Sequence, residues 1–298
     1  MKNENDINYF EWFFNEFDYP QESREAVLAC YDRIIGCEES GLLLKKLISD
    51  YEKDVKCNYT ALINGAKELS EKCGVNFYTG VFVFLVLLTK PLKEFYRKNG
   101  IDESIWKTSV FDLKYKLLKC KNLYGVWGTV DAEWFFGFFN LTRFGFEKLQ
   151  FEVVDFAHTY EIGGLSLKPD SKVINIHIPR TGQPLDKESR VRAYACAKEF
   201  FKLFYDGDKT PFVCHTWLLF PENREFLSPA SNLISFMNEF EVIDVEYYED
   251  YSQTWRIFDT LDYSDIDKLP QKTSLQRGYA GMMRRGERTG VGYGIFVL

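Results

Sequence analysis

The stretch INIHIPRTGQPLDKESRVRAYACAKEFF, Ile174 to Phe201, decides the fold. Ile174, Ile176 and Ile178 alternate with Asn175 and His177, which describes a strand with one apolar and one polar face. Pro179 ends the strand and Gly182 follows in a turn. Asp186 then stands where a helix N-cap belongs, and Ala193, Ala197, Phe201 and Phe204 recur as a buried helical stripe. Free amides at a helix start attract an anion. Asp186 and Glu188, however, would repel a phosphate placed on that terminus. The same layout also serves as a crossover that binds nothing, and this segment alone does not separate the two readings.

Working outward, the first ~125 residues are helical in pattern, at a usual domain size. Leu42, Leu43, Leu44, Leu47 and Ile48 share a helical stripe, as do Ala61, Leu62, Ala66 and Leu69. The apolar run Val81 to Leu88 reads as a buried helix, with Pro91 near the start of the next segment and Gly100 as a stop. After Tyr124 the character changes. TVDAEWFFGFFN reads as a short helix capped by Asp131. EKLQFEVVDF alternates, with Leu149, Phe151 and Val153 opposite Gln150 and Glu152, so it is a strand. YEIGGLSLKP, KVINIHIP, TPFVCHTWLLFP, EVIDVEYY, TWRIFDT and VGYGIFVL are further strands, interrupted by helices at SPASNLISFMNEF and TSLQRGYAGMMRR. Hairpin strands joined by helical crossovers imply an α+β fold with a mixed sheet, not a doubly wound parallel one. The division follows as a helical domain over 1–125 and a sheet domain over 126–298.

A net charge of −7 argues against nucleic acid as a partner, since phosphate-backbone binding needs a strong basic field. The tail is the exception: Lys272, Arg277, Arg284, Arg285 and Arg288 face a single carboxylate, Glu287, between Leu269 and Leu298. That suits a small anion or a solvated helix face. The opening MKNENDINYF is too polar for a signal peptide, and the run Val81 to Leu88 is far short of the ~20 residues of a membrane span. Seven scattered cysteines fit a reducing cytoplasm better than a disulfide framework.

Asn175 and His177, near the carboxyl end of a strand expected to be covered on both faces, point either to a polar cleft or to a hydrogen-bonded buried histidine. Arg180 offers a charged donor beside Gly182. Cys214 and His215 are adjacent on a strand, so they face opposite ways and cannot form a nucleophile and base pair. With His158, His177 and His215 the only histidines, and no C-x-x-C, zinc has no clear site. No G-x-S-x-G elbow, Walker loop or G-x-G-x-x-G after a strand is present.

The order of elements, the stretch Ile174–Phe201 and the segment SNLISFMNEFEVI (Ser231 to Ile243) together resemble the GNAT superfamily of acyl-CoA-dependent N-acyltransferases. More narrowly, LYGVWGTVDAEWF, EKLQFE, IHIPRTGQPLD, CHTWLL and LPQKTSL are similar to the GNAT-like acyltransferase-domain family that carries a helical N-terminal domain. The resemblance spans essentially the whole chain. It implies acyl-CoA, with acetyl-CoA expected, as co-substrate, no metal, and a small-molecule amine or peptide as acceptor. Ile178, Arg180, Thr181, Gly182, Gln183 and Leu185, with Asn232 of the later helix, are the implied cofactor contacts. His177 is the first candidate base, Glu152 the second and His215 the third. The chain departs from the superfamily pattern twice. The loop Arg180–Pro184 lacks a second small residue, and Phe236 stands where many members place a thiolate-protonating tyrosine. A catalytically inactive binding module of the same fold is the competing expectation.

Overall fold

The computed structural model describes residues 4–205 and 208–298; residues 1–3 of the polar N-terminal stretch and residues 206–207 lie outside the described residues. The chain divides into two units, Met1–Phe144 and Gly145–Leu298.

The first unit is helical: α1 (Glu4–Glu16), α2 (Gln21–Gly36), α3 (Glu38–Lys53), α4 (Tyr59–Lys72), α5 (Phe77–Lys98), α6 (Glu103–Val110), α7 (Asp112–Tyr124) and the single turn α8 (Phe136–Phe139). Every residue from Thr79 to Thr89 in α5 is buried, so this part of the helix has no polar face and forms the centre of the unit, while Lys90, Glu94, Arg97 and Lys98 expose its C-terminal half. Around it pack α1, α2, α3, α4 and α6. Phe10, Phe13 and Phe14 of α1 add an aromatic wall, each burial contributing about 1.5–3 kcal/mol. Pro91, expected at the start of a new segment, instead lies inside α5, which runs unbroken to Lys98. Pro91 and Leu92 are themselves buried, as is the run Thr79–Thr89 before them, and this burial outweighs the roughly 3 kcal/mol that a mid-helix proline costs. Among the described residues no helix is long and apolar enough to cross a membrane.

Residues 126–144 belong to this unit. The Tyr51 hydroxyl donates to the Phe139 carbonyl (2.6 Å), Tyr59 to the Ala132 carbonyl (2.8 Å), and the Trp134 indole to Asp112 (2.7 Å). Asp131 does not cap the following turn. Lys119 takes both of its carboxylate oxygens, at 2.8 and 2.9 Å.

The sheet consists of β1 (Arg143–Phe146), β2 (Leu149–Asp155), β5 (Lys172–His177), β6 (Pro211–Thr216), β7 (Glu241–Tyr247) and β8 (Gly290–Val297), in the order β1-β2-β5-β6-β8-β7. A separate hairpin, β3 (Tyr160–Ile162) with β4 (Leu165–Leu167), follows β2. The pairs β2–β5, β6–β8 and β7–β8 are antiparallel, whereas β5–β6 is parallel and is bridged by the crossover helix α9 (Lys187–Phe200). Tyr194 of α9 lies over one face, with ring centroids 6.4 Å from Phe151, 5.8 Å from Phe212 and 5.0 Å from Phe296. On the other face Phe156, Leu167, Val173, Val213 and Ile295 form a core with the hairpin residues Tyr160, Ile162 and Leu165. Shorter helices α10 (Asn223–Phe226), α11 (Asn232–Met237) and α12 (Trp255–Phe258), then α13 (Ser274–Arg284), complete the unit. The chain is thus an α+β protein, a helical N-terminal region followed by a mixed sheet with helical crossovers.

Three strand expectations change in detail. YEIGGLSLKP is a hairpin, because Gly163 and Gly164 both take left-handed backbone angles (φ 57° and 76°) and turn the chain. TPFVCHTWLLFP stops being strand at Thr216 and continues as a 3-10 turn, Trp217–Leu219. TWRIFDT is not a strand but α12, closed by Asp259 at φ 58°. Its adjacent Ile257 and Phe258 are both buried against Leu269, Tyr279 and Met283, which a strand with opposite-facing neighbours could not arrange. The hairpin-like partner of β7 is therefore β8, not residues 254–260.

Candidate active site

The parallel pairing of β5 with β6 is short. Ile174 faces Phe212 and Asn175 faces Val213, and the register stops there although β5 runs on to His177 and β6 to Thr216. Past that point the carbonyl of Ile176 is met by a side chain: the buried Cys214 thiol donates to it at 3.2 Å. Burial holds this thiol protonated by pushing its pKa well up, which fits a donor and not a nucleophile.

At the end of β5 the polar face gathers three polar side chains. His177 Nε2 lies 2.6 Å from Glu152 Oε1 on β2, and Asn175 Nδ2 lies 3.2 Å from the same ring nitrogen. Both partners are mostly buried, His177 at 21% and Glu152 at 16% side-chain exposure. Glu152 sits directly across from Asn175 in the β2–β5 register, so alternation alone puts the three side chains on one face. The first two candidate bases are therefore one hydrogen-bonded pair. His215, the third, is on β6 but turns to the opposite edge. Its Nε2 is 3.6 Å from Glu246 of β7 and its ring 5.9 Å from that of Tyr293 on β8.

The loop after β5 is already bonded to itself and its neighbours. Arg180 forms a bidentate ion pair with Asp259, one arm at 2.8 Å. The Thr181 amide donates to Pro179, and the Thr181 hydroxyl accepts from the Gln183 amide at 3.1 Å. Gly182 takes φ 72° with open space where a side chain would be, so it is required for the turn. Ile178 is half-buried. The Leu185 carbonyl is held by Arg190, a guanidinium with no exposure that also bonds Glu239 (Nε to Oε2, 3.0 Å) and Ser235 (3.0 Å). Tyr194 donates to the same Glu239 at 2.9 Å. Asn232 is exposed at the first position of α11, following the Ser231 cap, and Phe236 is fully buried.

Asp186 caps α9 by accepting from the Ser189 amide at 2.8 Å, and Lys148 donates to the same carboxylate at 2.8 Å. Lys148, with the cap second, lowers the Asp186 pKa from 3.8 to about 2. The carboxylate that opposed an anion in the sequence is thus offset by a cation the sequence placed 38 residues away. A depressed carboxyl pKa stabilises the fold above the ordinary value, and that stability is lost as pH falls through the folded value. Lys148→Met is therefore expected to flatten the acid-induced loss of stability between about pH 4 and pH 2, read from denaturation midpoints across that window. An unchanged profile would show that the pair does not couple to folding.

The arginine-rich tail is engaged locally. Arg284 pairs with Asp267, Arg285 with Glu287 and Arg288 with Glu249, while Arg277 donates to the Gln271 and Lys272 carbonyls. Surface clefts of ≈ 470 and ≈ 510 Å³ beside α13 are lined partly by these residues and do not include the His177–Glu152 pair. Among the described residues no group of three or more His, Cys, Asp or Glu side chains is placed to hold a metal ion.

Lys148, Asp259 and the Arg190–Glu239 pair were not singled out from sequence. Arg190 alone left a signal, standing three and seven residues before Ala193 and Ala197 on the buried stripe of α9.

Comparison with known proteins adds the following. A family model described as the N-acyltransferase N-terminal domain matches residues 10–141, and one described as the GNAT-like C-terminal domain matches residues 141–296. No curated protein matches the chain. Among solved structures, an acyltransferase mutant in complex with octanoyl-CoA is 18% identical at a TM-score of 0.75, covering 100% of this chain and 89% of that one. An acyltransferase in complex with decanoyl-CoA and teicoplanin is 18% identical at 0.72, covering 97% and 87%. A third, with CoA and 10C-teicoplanin, is 18% identical at 0.75, covering 96% and 86%. At this identity the three share the fold.

Proposed function

The chain belongs to the family that joins an N-acyltransferase N-terminal domain to a GNAT-like C-terminal domain, and from that premise we propose that it transfers an acyl group from acyl-CoA to an amine by direct attack in a ternary complex. The observation that carries this is the His177–Glu152 pair at the point where β5 and β6 cease to pair. An ionised Glu152 only accepts, so Nε2 must donate to it. The 3.2 Å approach of the Asn175 amide, itself an N–H donor, is then a close contact and not a hydrogen bond, and the lone pair of the imidazole is on Nδ1. His177 then takes a proton from the attacking amine, and Glu152 stabilises the imidazolium that forms. The unpaired ends of β5 and β6 hold the thioester near this base. Holding both substrates in one geometry supplies much of the rate. Amides around Gly182 to Leu185, with Arg180, take the pyrophosphate of the donor. For that, Arg180 exchanges Asp259 for phosphate, a change of partner that an exposed guanidinium makes readily. Phe236 is core and donates nothing, so the thiolate draws its proton from the imidazolium or from water.

The acceptor in this proposal is a small amine or a peptide. The teicoplanin held by the similar acyltransferase supports a peptide-like one. A cytoplasmic setting belongs to the same proposal, since acyl-CoA and seven free cysteines both suit a reducing compartment. The bidentate Arg180–Asp259 pair and the buried Phe236 favour a second reading, a fold that binds a ligand without catalysis.

Calorimetric titration with CoA, acetyl-CoA, octanoyl-CoA and decanoyl-CoA tests the donor. Binding of at least one acyl-CoA is expected, and the ranking decides between the acetyl group expected from sequence and the longer chains of the similar structures. No heat with any of the four at millimolar concentration would sink the transferase reading.

A further inference from the structure

Gln150 of β2 stands directly opposite His177 of β5 in the register, so the two side chains leave the same face of the sheet as near neighbours. It is 2% exposed, and no hydrogen bond reaches its carbonyl oxygen Oε1. Buried acceptors are almost always satisfied, and one left bare destabilises the protein that carries it. A bare acceptor beside the His177–Glu152 pair therefore marks a place that a donor from outside the chain fills.

We propose that Gln150 binds the acceptor substrate, its Oε1 accepting a hydrogen bond from the attacking nitrogen, and that it thereby selects a nitrogen nucleophile over an oxygen one. The proposal rests on the acyl-transfer reading above. A neutral primary amine brings one lone pair and two N–H bonds. The lone pair forms the C–N bond at the thioester carbonyl, and the C–S bond breaks with its electron pair leaving on the CoA sulfur. One N–H proton passes to His177 and from there to the thiolate or to solvent, so the products are an amide and CoA thiol. The second N–H survives every step and remains in the amide. Gln150 is its partner, and by holding that N–H it aims the lone pair at the thioester. A hydroxyl has one proton only, which His177 must take. It offers Gln150 nothing and leaves the buried oxygen bare, the situation in which a polar site rejects an analogue most strongly.

Gln150→Leu tests this with two readouts. Removing a bare buried acceptor raises the thermal midpoint of the free protein by about 2–4 °C. A Gln150 with a structural partner would lower it. In a thiol-release assay with the tightest-binding acyl-CoA, and with benzylamine and tyramine set against benzyl alcohol, kcat/KM for the amines falls about 10–100-fold. The dissociation constant for the acyl-CoA stays the same, and the preference for amine over alcohol shrinks. A lowered midpoint, or amine kinetics equal to wild type, overturns the assignment and leaves the transferase reading standing. Wild-type protein that binds acyl-CoA but releases no thiol with any acceptor overturns both.

Discussion

His177→Ala is expected to lower turnover by about 10²–10⁴-fold, the range a positioned general base contributes, with acyl-CoA binding unchanged. The proposed base is a pair and not a lone ring. Glu152 holds Nε2 at 2.6 Å from a strand whose register fixes its position, so Glu152→Gln is expected to depress turnover as well. The amide keeps the shape of the carboxylate but cannot balance the imidazolium charge. The check is steady-state thiol release from acyl-CoA with a saturating amine, paired with calorimetry of donor binding. Near wild-type turnover in His177→Ala removes this residue from the mechanism. A loss of donor binding in the same variant would instead assign it to the cofactor site.

The largest expected effect on stability comes from Glu239→Ala. Arg190 has no side-chain exposure, and its charge is answered by Glu239, with Ser235 and the Leu185 carbonyl completing the hydrogen bonds. Removing Glu239 leaves a buried guanidinium without a counter-charge and also strips the Tyr194 hydroxyl of its acceptor. The cost of breaking such a pair is about 3–5 kcal/mol, a large share of the roughly 5–15 kcal/mol that holds a domain folded. Replacing both partners, Arg190→Met with Glu239→Leu, is expected to cost far less, because no unpaired charge remains. Denaturant titration of the single and double variants decides it. A double variant as unstable as the single one would mean that packing, and not charge, holds α9 to α11.

The fold was largely legible because its signals are local. Alternation at Gln150–Val153 and Ile174–Ile178 marks strands, and the expected cap Asp186 sits where α9 begins. What failed were segments whose periodicity is short or overridden by burial. Pro91 stays helical because it follows the fully buried run Thr79–Thr89 and is itself packed into the core with Leu92. Residues 255–258 are helical because both Ile257 and Phe258 find a core. At the site, His177 and Glu152 could be nominated one at a time, each from its own strand. Nothing in the sequence pairs residues 25 apart, and nothing marks Lys148 as the counter-charge of Asp186 or Asp259 as the partner of Arg180.

The sequence by itself determined the family resemblance, the helical-then-sheet order and the strand–turn–helix at Ile174–Phe201, since each is written in residue type and spacing along the chain. Only the tertiary structure decided which polar groups meet. Strand register joined His177 to Glu152 and set Gln150 beside them. The packing of loops and helix ends on the sheet also gave Arg180 and Asp186 partners of opposite charge. The physical reason is that hydrogen bonds and ion pairs act across a few ångströms of space, whatever their separation in sequence.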